Sequence, residues 1–305
     1  MNKIVVPVDF REQSLLALDQ TISVAKFIKA EIIILYIIES GIITSLVRRG
    51  KSQEKLREIA AERLQNISEN VCSKAGIKAS VIIESGRVAH KIIEVANNLN
   101  ARFIIMGKND SDAKLEKYIG TNTSQVISRS NCPVISIKGK EQKIVFEDIV
   151  LPLDLTKKTR EKVFNAVSFG LHFNSVIWMV SVLTGGIAKR QSRIYAKMKK
   201  AQQMIQENGV PCKIKLFEKS DKPDYEVVIN YAKETGADLI MVMTRQEASW
   251  REQYIGRFAN EIINRSDIPV MTMIPSDPKK HKKRLVKAFM DPFGIFSKKR
   301  LNKKR

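Results

Sequence analysis

The sequence predicts an α/β protein whose fold is made twice, as two doubly wound, Rossmann-like domains with mainly parallel five-stranded sheets. Three observations carry this. Short β-branched runs alternate with helical segments along most of the chain. The runs are nearly continuous in apolar residues, as strands covered by helices on both faces of a parallel sheet are. The second half of the chain repeats the first, element by element.

In the first half the strand runs are KIVVPVDF from Lys3, AEIIILYIIES from Ala30, KASVIIESG from Lys78, RFIIMG from Arg102 and CPVISIKG from Cys132. Each is bounded by charged, Gly or Pro residues, which end a strand. Between them, apolar residues recur at helical spacing over Ser14–Lys29, Gln53–Lys74, Val88–Asn98 and Asn122–Ser130. The second half offers DIVLPLDL, SVIWMVSVL, CKIKLFEKS, DLIMVMT and IPVMTMIP as strands. Its helical segments are Thr159–Phe173, Ser192–Glu207, Tyr225–Glu234 and Arg257–Arg265.

Aligning the halves sets IVVPVDF on IVLPLDL, so Asp9 faces Asp154, and ARFIIMG on ADLIMVM. EKYIGTNTSQVISRSNCPVISI falls on EQYIGRFANEIINRSDIPVMTMI. The expected domains are residues 1–140 and 146–275, with a short charged linker over Lys138–Glu147 and a basic tail from 276 to 305.

With 44% hydrophobic and 28% charged residues in 305, the chain is globular and long enough for two cores. Its apolar start, Ile4–Val8, is too short for a signal peptide, and Ile32–Ile38 is far below the ~20 residues of a membrane span. The three cysteines, Cys72, Cys132 and Cys212, have no metal-type spacing and read as reduced thiols in a cytoplasmic protein. His90, His172 and His281 are scattered without a nucleophile at catalytic spacing, and no GxxxxGK[ST], GxGxxG or HExxH is present. An enzyme is therefore not expected, with slow ATP hydrolysis as the weakest alternative.

The stretch IIMGKNDSDAKLEKYIGTNTSQV, Ile104–Val126, has the outline of a phosphate-binding turn. An apolar strand ends at Gly107, and Gly120-Thr121-Asn122-Thr123 opens a helix. Glycine lets backbone amides approach phosphate oxygens, and a helix N-terminus offers unpaired N–H groups. The hydroxyls of Thr121 and Thr123 add donors, while Asp9, ending the first strand, could either accept from a bound group or cap the helix that follows.

Together, VPVDF followed by SLLAL, the Gly107–Gly120 loop, the helix opening GTNTSQVISRS and NCPVISI as last strand resemble the universal stress protein family in its tandem form. The resemblance covers residues 1 to about 275. It implies an adenine nucleotide alpha-hydrolase-like fold and a non-enzymatic stress-response module that binds ATP or another adenine nucleotide, with or without Mg²⁺. Asp9 would then serve the base and Ile37 would line the adenine slot. It also implies pairing of the halves through their last strands as a pseudo-dimer, with further homodimerisation open.

The family's loop pattern of Gly, Gly, Gly and Ser or Thr falls here on Gly107, Asp110, Gly120 and Thr121. A carboxylate ~4 Å from a phosphate oxygen would cost on the order of 4 kcal/mol at surface-like dielectric. Asp110 thus points away, binds a bridging Mg²⁺, or marks a lost site. Lys108 and Lys114 either offset some of that repulsion or, as loop lysines commonly are, stay solvated. In the second half the aligned positions are Met243, Gln246, Gly256 and Arg257, so that site reads as degenerate and Asp154 as a helix cap. The apolar residues of Ser40–Ser52 fit either a lid or a packed connection.

The net charge is +21, and the tail from Pro275 carries twelve Lys/Arg against Asp277 and Asp291, or +10 of it. A solubilising tail, attachment to the anionic inner face of a membrane and nucleic-acid contact all fit this charge. The alternative to nucleotide binding is a nucleotide-free scaffold that recruits a protein partner or an anionic surface through this tail.

Overall fold

The structure, a computed structural model, describes residues 1–39, 53–108, 121–139, 144–153, 159–183, 188–217, 220–244 and 255–273. The chain divides into two compact units, Met1–Ile144 and Val145–Arg305.

In the first unit, β1 (Asn2–Pro7) leads to α1 (Glu12–Ile28) and β2 (Ala30–Glu39). Next come α2 (Gln53–Ile67), β3 (Ala79–Gly86) and α3 (Val88–Asn98), then β4 (Phe103–Gly107), α4 (Thr121–Arg129) and β5 (Val134–Ile137). The strands lie in the order β3-β2-β1-β4-β5, and their pairings are parallel. Ile4 pairs with both Ile32 and Phe103, so β1 sits at the centre, where the chain's direction of winding reverses. Ile4, Val5, Val6, Ile32, Ile34, Phe103, Ile104 and Ile105 are completely buried, which accounts for the unbroken apolar runs. The helix α3 buries Ala89, Ile92, Val95 and Ala96, the stripe that 3.6-residue periodicity brings to one face.

The second unit repeats this plan. The elements are β6 (Asp148–Pro152), α5 (Thr159–Phe173), β7 (Val176–Val182), α6 (Ala188–Glu207) and β8 (Cys212–Phe217), then α7 (Asp224–Glu234), β9 (Leu239–Met243), α8 (Arg257–Arg265) and β10 (Val270–Met273). Its strands follow the order β8-β7-β6-β9-β10, again in parallel. The repeat extends to the backbone. Lys29 and Asn174 adopt left-handed φ of 51° and 56° just after α1 and α5. Asn100 and Gly236 do so at 49° and 67° before β4 and β9.

Two elements differ from the sequence reading. The helix expected over Gln53–Lys74 is α-helical only to Ile67 and continues as a π-helical turn over Ser68–Ser73, where Cys72 is buried. The helix α6 starts at Ala188, four residues before the expected Ser192, because a basic, weakly apolar turn carries no periodic signal.

Gly170, inside α5, has a packing reason. A Cβ there would lie 2.3 Å from Val210 Cγ1, and Val210 is 1% exposed. Alanine is worth about 1 kcal/mol more than glycine in a helix interior, yet the clash outweighs that gain. We expect Gly170→Ala to destabilise the second unit by about 2 kcal/mol in urea unfolding. Adding Val210→Ala should recover part of the loss, giving a non-additive double-mutant cycle.

Candidate functional site

In an open parallel sheet, ligands bind beyond the strand carboxyl ends where the winding reverses. In the first unit that point lies between β1 and β4. Three short segments meet there, namely the turn after β1, the end of β4 and the first turn of α1.

After Pro7, the N–H of Val8 still pairs with Leu35 O at 2.8 Å, and the chain then turns sharply. Phe10 takes φ 66°, a conformation that costs a bulky L-residue roughly 1–2 kcal/mol. Its ring is held by Tyr36 at 4.9 Å between centroids and by the Arg63 guanidinium, 4.4 Å from the ring centroid. Asp9 donates its N–H to Ser14 Oγ at 3.2 Å and accepts the Arg11 N–H on Oδ1 at 3.0 Å. Its Oδ2 lies 3.8 Å from Arg11 Nε, and the side chain is 49% exposed. Arg11 is the N-cap residue of α1, and its side chain makes no capping hydrogen bond. Asp9 thus organises the turn that precedes the helix.

Gly107 closes β4 directly beneath α1. A Cβ at this position would lie 2.1 Å from Gln13 O, 2.3 Å from Gln13 C and 2.7 Å from Ser14 N. The glycine is thus needed by the protein's own backbone, since the first turn of α1 rests on it. Through Ser14, the same peptide is linked to Asp9, so Asp9, Ser14 and Gly107 form one packed corner. Ile37 lies near the end of β2 and is half-buried, on the opposite sheet face from its neighbour Tyr36. Phe10, Tyr36 and Arg63 were not singled out by the sequence, because their association depends on the turn.

Lys108 corrects an expectation. It is 5% exposed, not a solvated loop lysine, and its N–H pairs with Ile137 O at 2.8 Å. At the start of α4 the first turn carries no acid; Asn122 is half-buried and Thr123 is buried. Asp110, Lys114, Gly120 and the 40–52 segment lie outside the described residues, as does the side chain of Thr121.

At the matching place in the second unit, Met243 ends β9 with a side chain 2% exposed. Thr244 takes the place of Lys108 and is fully buried, with N–H and hydroxyl both on Met273 O, at 3.0 and 3.3 Å. Gly256 is the N-cap of α8, with an ordinary φ of −55°, and Arg257 is exposed on the first residue of the helix. Asp154, Gln246, His281 and the tail fall outside the described residues.

The three cysteines are free. Burial raises the thiol pKa of Cys72 to about 11 and of Cys212 to about 12, and it raises that of Cys132 as well. High thiol pKa values leave little thiolate to react. His90 Nδ1 lies 3.6 Å from Glu94 Oε2, and His172 Nδ1 faces Ser168 O at 2.6 Å.

Two copies of a doubly wound parallel sheet, each with its winding reversed between the first and fourth strands, define a tandem Rossmann-like protein. The sequence profile of the universal stress protein family matches residues 1–138 and again 146–273, and the chain belongs to that family. Universal stress protein MJ0531 of Methanocaldococcus jannaschii is 28% identical over 140 residues, covering 45% of this chain and 82% of the relative. Universal stress protein MJ0577 of the same organism is 30% identical over 157 residues, covering 46% of this chain and 96% of the relative. For fold alone, a universal stress protein from Archaeoglobus fulgidus superposes with a TM-score of 0.69 at 20% identity, covering 90% of this chain and 97% of that one.

Proposed function

We propose that the chain is a non-enzymatic stress-response module that binds ATP or another adenine nucleotide in its first half, while the second half serves as a structural partner. The supporting observation is the asymmetry of the two switch points. In the first, a half-exposed Asp9 carboxylate and the side-chain-free backbone of Gly107 belong to the carboxyl ends of one sheet. In the second, the buried Met243 side chain stands at the matching strand end.

The donor set suits the group chemically. A carboxylate can accept from an adenine amine or ribose hydroxyl, and a helix N-terminus can receive phosphate. Ile37 would line the base, and Gly120, Thr121, Asn122 and Thr123 would meet the phosphates. Asp110 would either take a Mg²⁺ that bridges to the phosphates or oppose them. Pairing of the halves through their last strands, further homodimerisation, a cytoplasmic location and contact of the basic tail with anionic surfaces belong to the same proposal. No helix among the described residues is long and apolar enough to cross a membrane.

One observation favours the second reading, a nucleotide-free scaffold. Both Asp9 and Gly107 have local structural duties, Asp9 within its own turn and Gly107 under α1, so neither requires a ligand to explain it. Calorimetric titration of Mg·ATP separates the two. Nucleotide binding predicts heat for the wild type and its loss in Gly120→Glu. No heat for the wild type, with heat appearing in Asp110→Gly, would establish a vestigial site and the scaffold reading.

A further inference from the structure

Corresponding helices of the two copies have diverged in charge. In the first unit α2 carries Lys55, Arg57 and Arg63 against Glu54, Glu58 and Glu62, a net of zero. In the second unit α6 occupies the same place in the fold. It carries Lys189, Arg190, Arg193, Lys197, Lys199 and Lys200 against Glu207 alone, six bases to one acid, or +5. The two copies share one strand order and element sequence, so the fold itself does not demand this difference.

Four of these basic side chains lie on the outer side of α6. Among the described residues, Met198, Ala201 and Ile205 are buried, spaced to face the core. Arg193, Lys197, Lys199 and Lys200 are exposed, and the rise from Arg193 to Lys200 spans roughly 10 Å of helix. Tyr195 is 44% exposed, with Lys199 Nζ 5.7 Å from its ring centroid. A shallow open recess beside them is lined by Ala196, Lys199, Lys200, Gln202, Gln203 and Gln206. The lone acid, Glu207, accepts from Gln203 Nε2 at 2.8 Å at the far end of the helix. Gln202 and Gln206 donate to Cys212 O at 2.8 and 3.3 Å, which fixes the helix against β8.

From this arrangement we infer that the outer face of α6 is a docking surface for single-stranded nucleic acid, independent of any nucleotide site in the first half. Exposed cations along a helix match the charge of a phosphate backbone, carboxamides add neutral donors, and an exposed ring beside a cation is a stacking platform for a base. An anionic membrane is disfavoured on the same evidence. The apolar stripe of α6 is spent on the core, and Tyr195 is its only large hydrophobic exposed among the described residues, so the helix has no face to insert.

The test uses the full chain, so that the basic tail is present throughout. Binding of a fluorescein-labelled single-stranded RNA 20-mer is followed by anisotropy between 0.05 and 0.2 M KCl. One variant is Arg193→Ala/Lys197→Ala/Lys200→Ala on α6. Its charge-matched control is Lys26→Ala/Lys55→Ala/Lys74→Ala, at exposed positions of the first unit. The α6 variant should weaken binding about a hundredfold at 0.1 M salt and reduce the slope of log K against log salt by about 2, whereas the control should change little. Tyr195→Ala should weaken binding about tenfold without changing the slope. Equal losses in the two triple variants, or none in either, would overturn the assignment. So would an α6-dependent loss seen with phosphatidylserine vesicles or polyglutamate but not with RNA.

Discussion

Gly107→Ala is expected to destabilise the first unit by about 3 kcal/mol, although it adds only one methyl group. The new Cβ would meet the Gln13 carbonyl at 2.1 Å and the Ser14 nitrogen at 2.7 Å, both backbone atoms that cannot rotate away. Relief requires the first turn of α1 to lift from the end of β4, which would strain the link from Ser14 Oγ to the Asp9 N–H. Overpacking against a flexible side chain costs typically 1–3 kcal/mol, and a backbone contact belongs at the upper end. Chemical denaturation followed by hydrogen exchange of β1 and β4 would measure it. A loss below about 1 kcal/mol would show that α1 yields easily. The result also bears on ligand studies, since nucleotide binding lost in a Gly107 variant would report a displaced helix as readily as a missing contact. Gly120 and Asp110 are therefore the better probes.

The second large effect concerns Asp238, which anchors the start of β6. Its Oδ2 accepts the N–H groups of Glu147 and Asp148 at 2.8 and 2.9 Å, and its own N–H returns to Asp148 O at 3.0 Å. Its Oδ1 is buried without a hydrogen-bond partner. Burial raises the carboxyl pKa to about 6, against the lowering influence of the backbone N–H groups and with a further rise from the charge of Asp148. A carboxyl whose pKa is higher folded than unfolded binds its proton more tightly in the folded state. Its contribution is most favourable below the ordinary value of 3.8 and is lost as pH rises through about 6.

The second unit should therefore lose up to about 3 kcal/mol from this group between pH 4 and pH 7. Asp238→Asn keeps an acceptor for the two N–H groups and removes the titration. Relative to wild type, it should be neutral near pH 4 and stabilising near pH 7. Both tryptophans, Trp178 and Trp250, lie in the second unit, so urea unfolding followed by their fluorescence reads the right half. A wild-type minus variant difference that does not change with pH would refute the assignment.

Most of the fold was legible because parallel strands buried on both faces announce themselves as unbroken apolar runs. Ile32–Ile38 and Leu239–Met243 leave no alternative to interior strands once helical segments are seen on either side. The duplication doubled the signal, since each ambiguous element had a second spelling. Less was legible where function depends on contacts between distant segments. Gly107 was noticed as a glycine, but the reason for it, the Gln13 carbonyl, lies in another element. Lys108 looked like a loop residue because burial of a charge cannot be read from its neighbours in sequence. The charge on α6 was present in the letters, yet it stood out only when the helix was set beside α2. Asp238 aligns with Arg102, so the anchor at the start of β6 is a device of one copy and not of the repeat.

The Gly107–Met243 pair carries a consequence for how the two copies can change from here. The shortest codon routes between glycine and methionine pass through valine or arginine. In the first copy either intermediate would drive a side chain into the Gln13 carbonyl, so descendants that leave glycine are selected against at the first step. In the second copy the same position already holds a buried side chain, Met243, so a side chain there is accommodated. One copy is thereby held to glycine at this strand end by its own helix, with or without a ligand, while the other carries a side chain at the matching place.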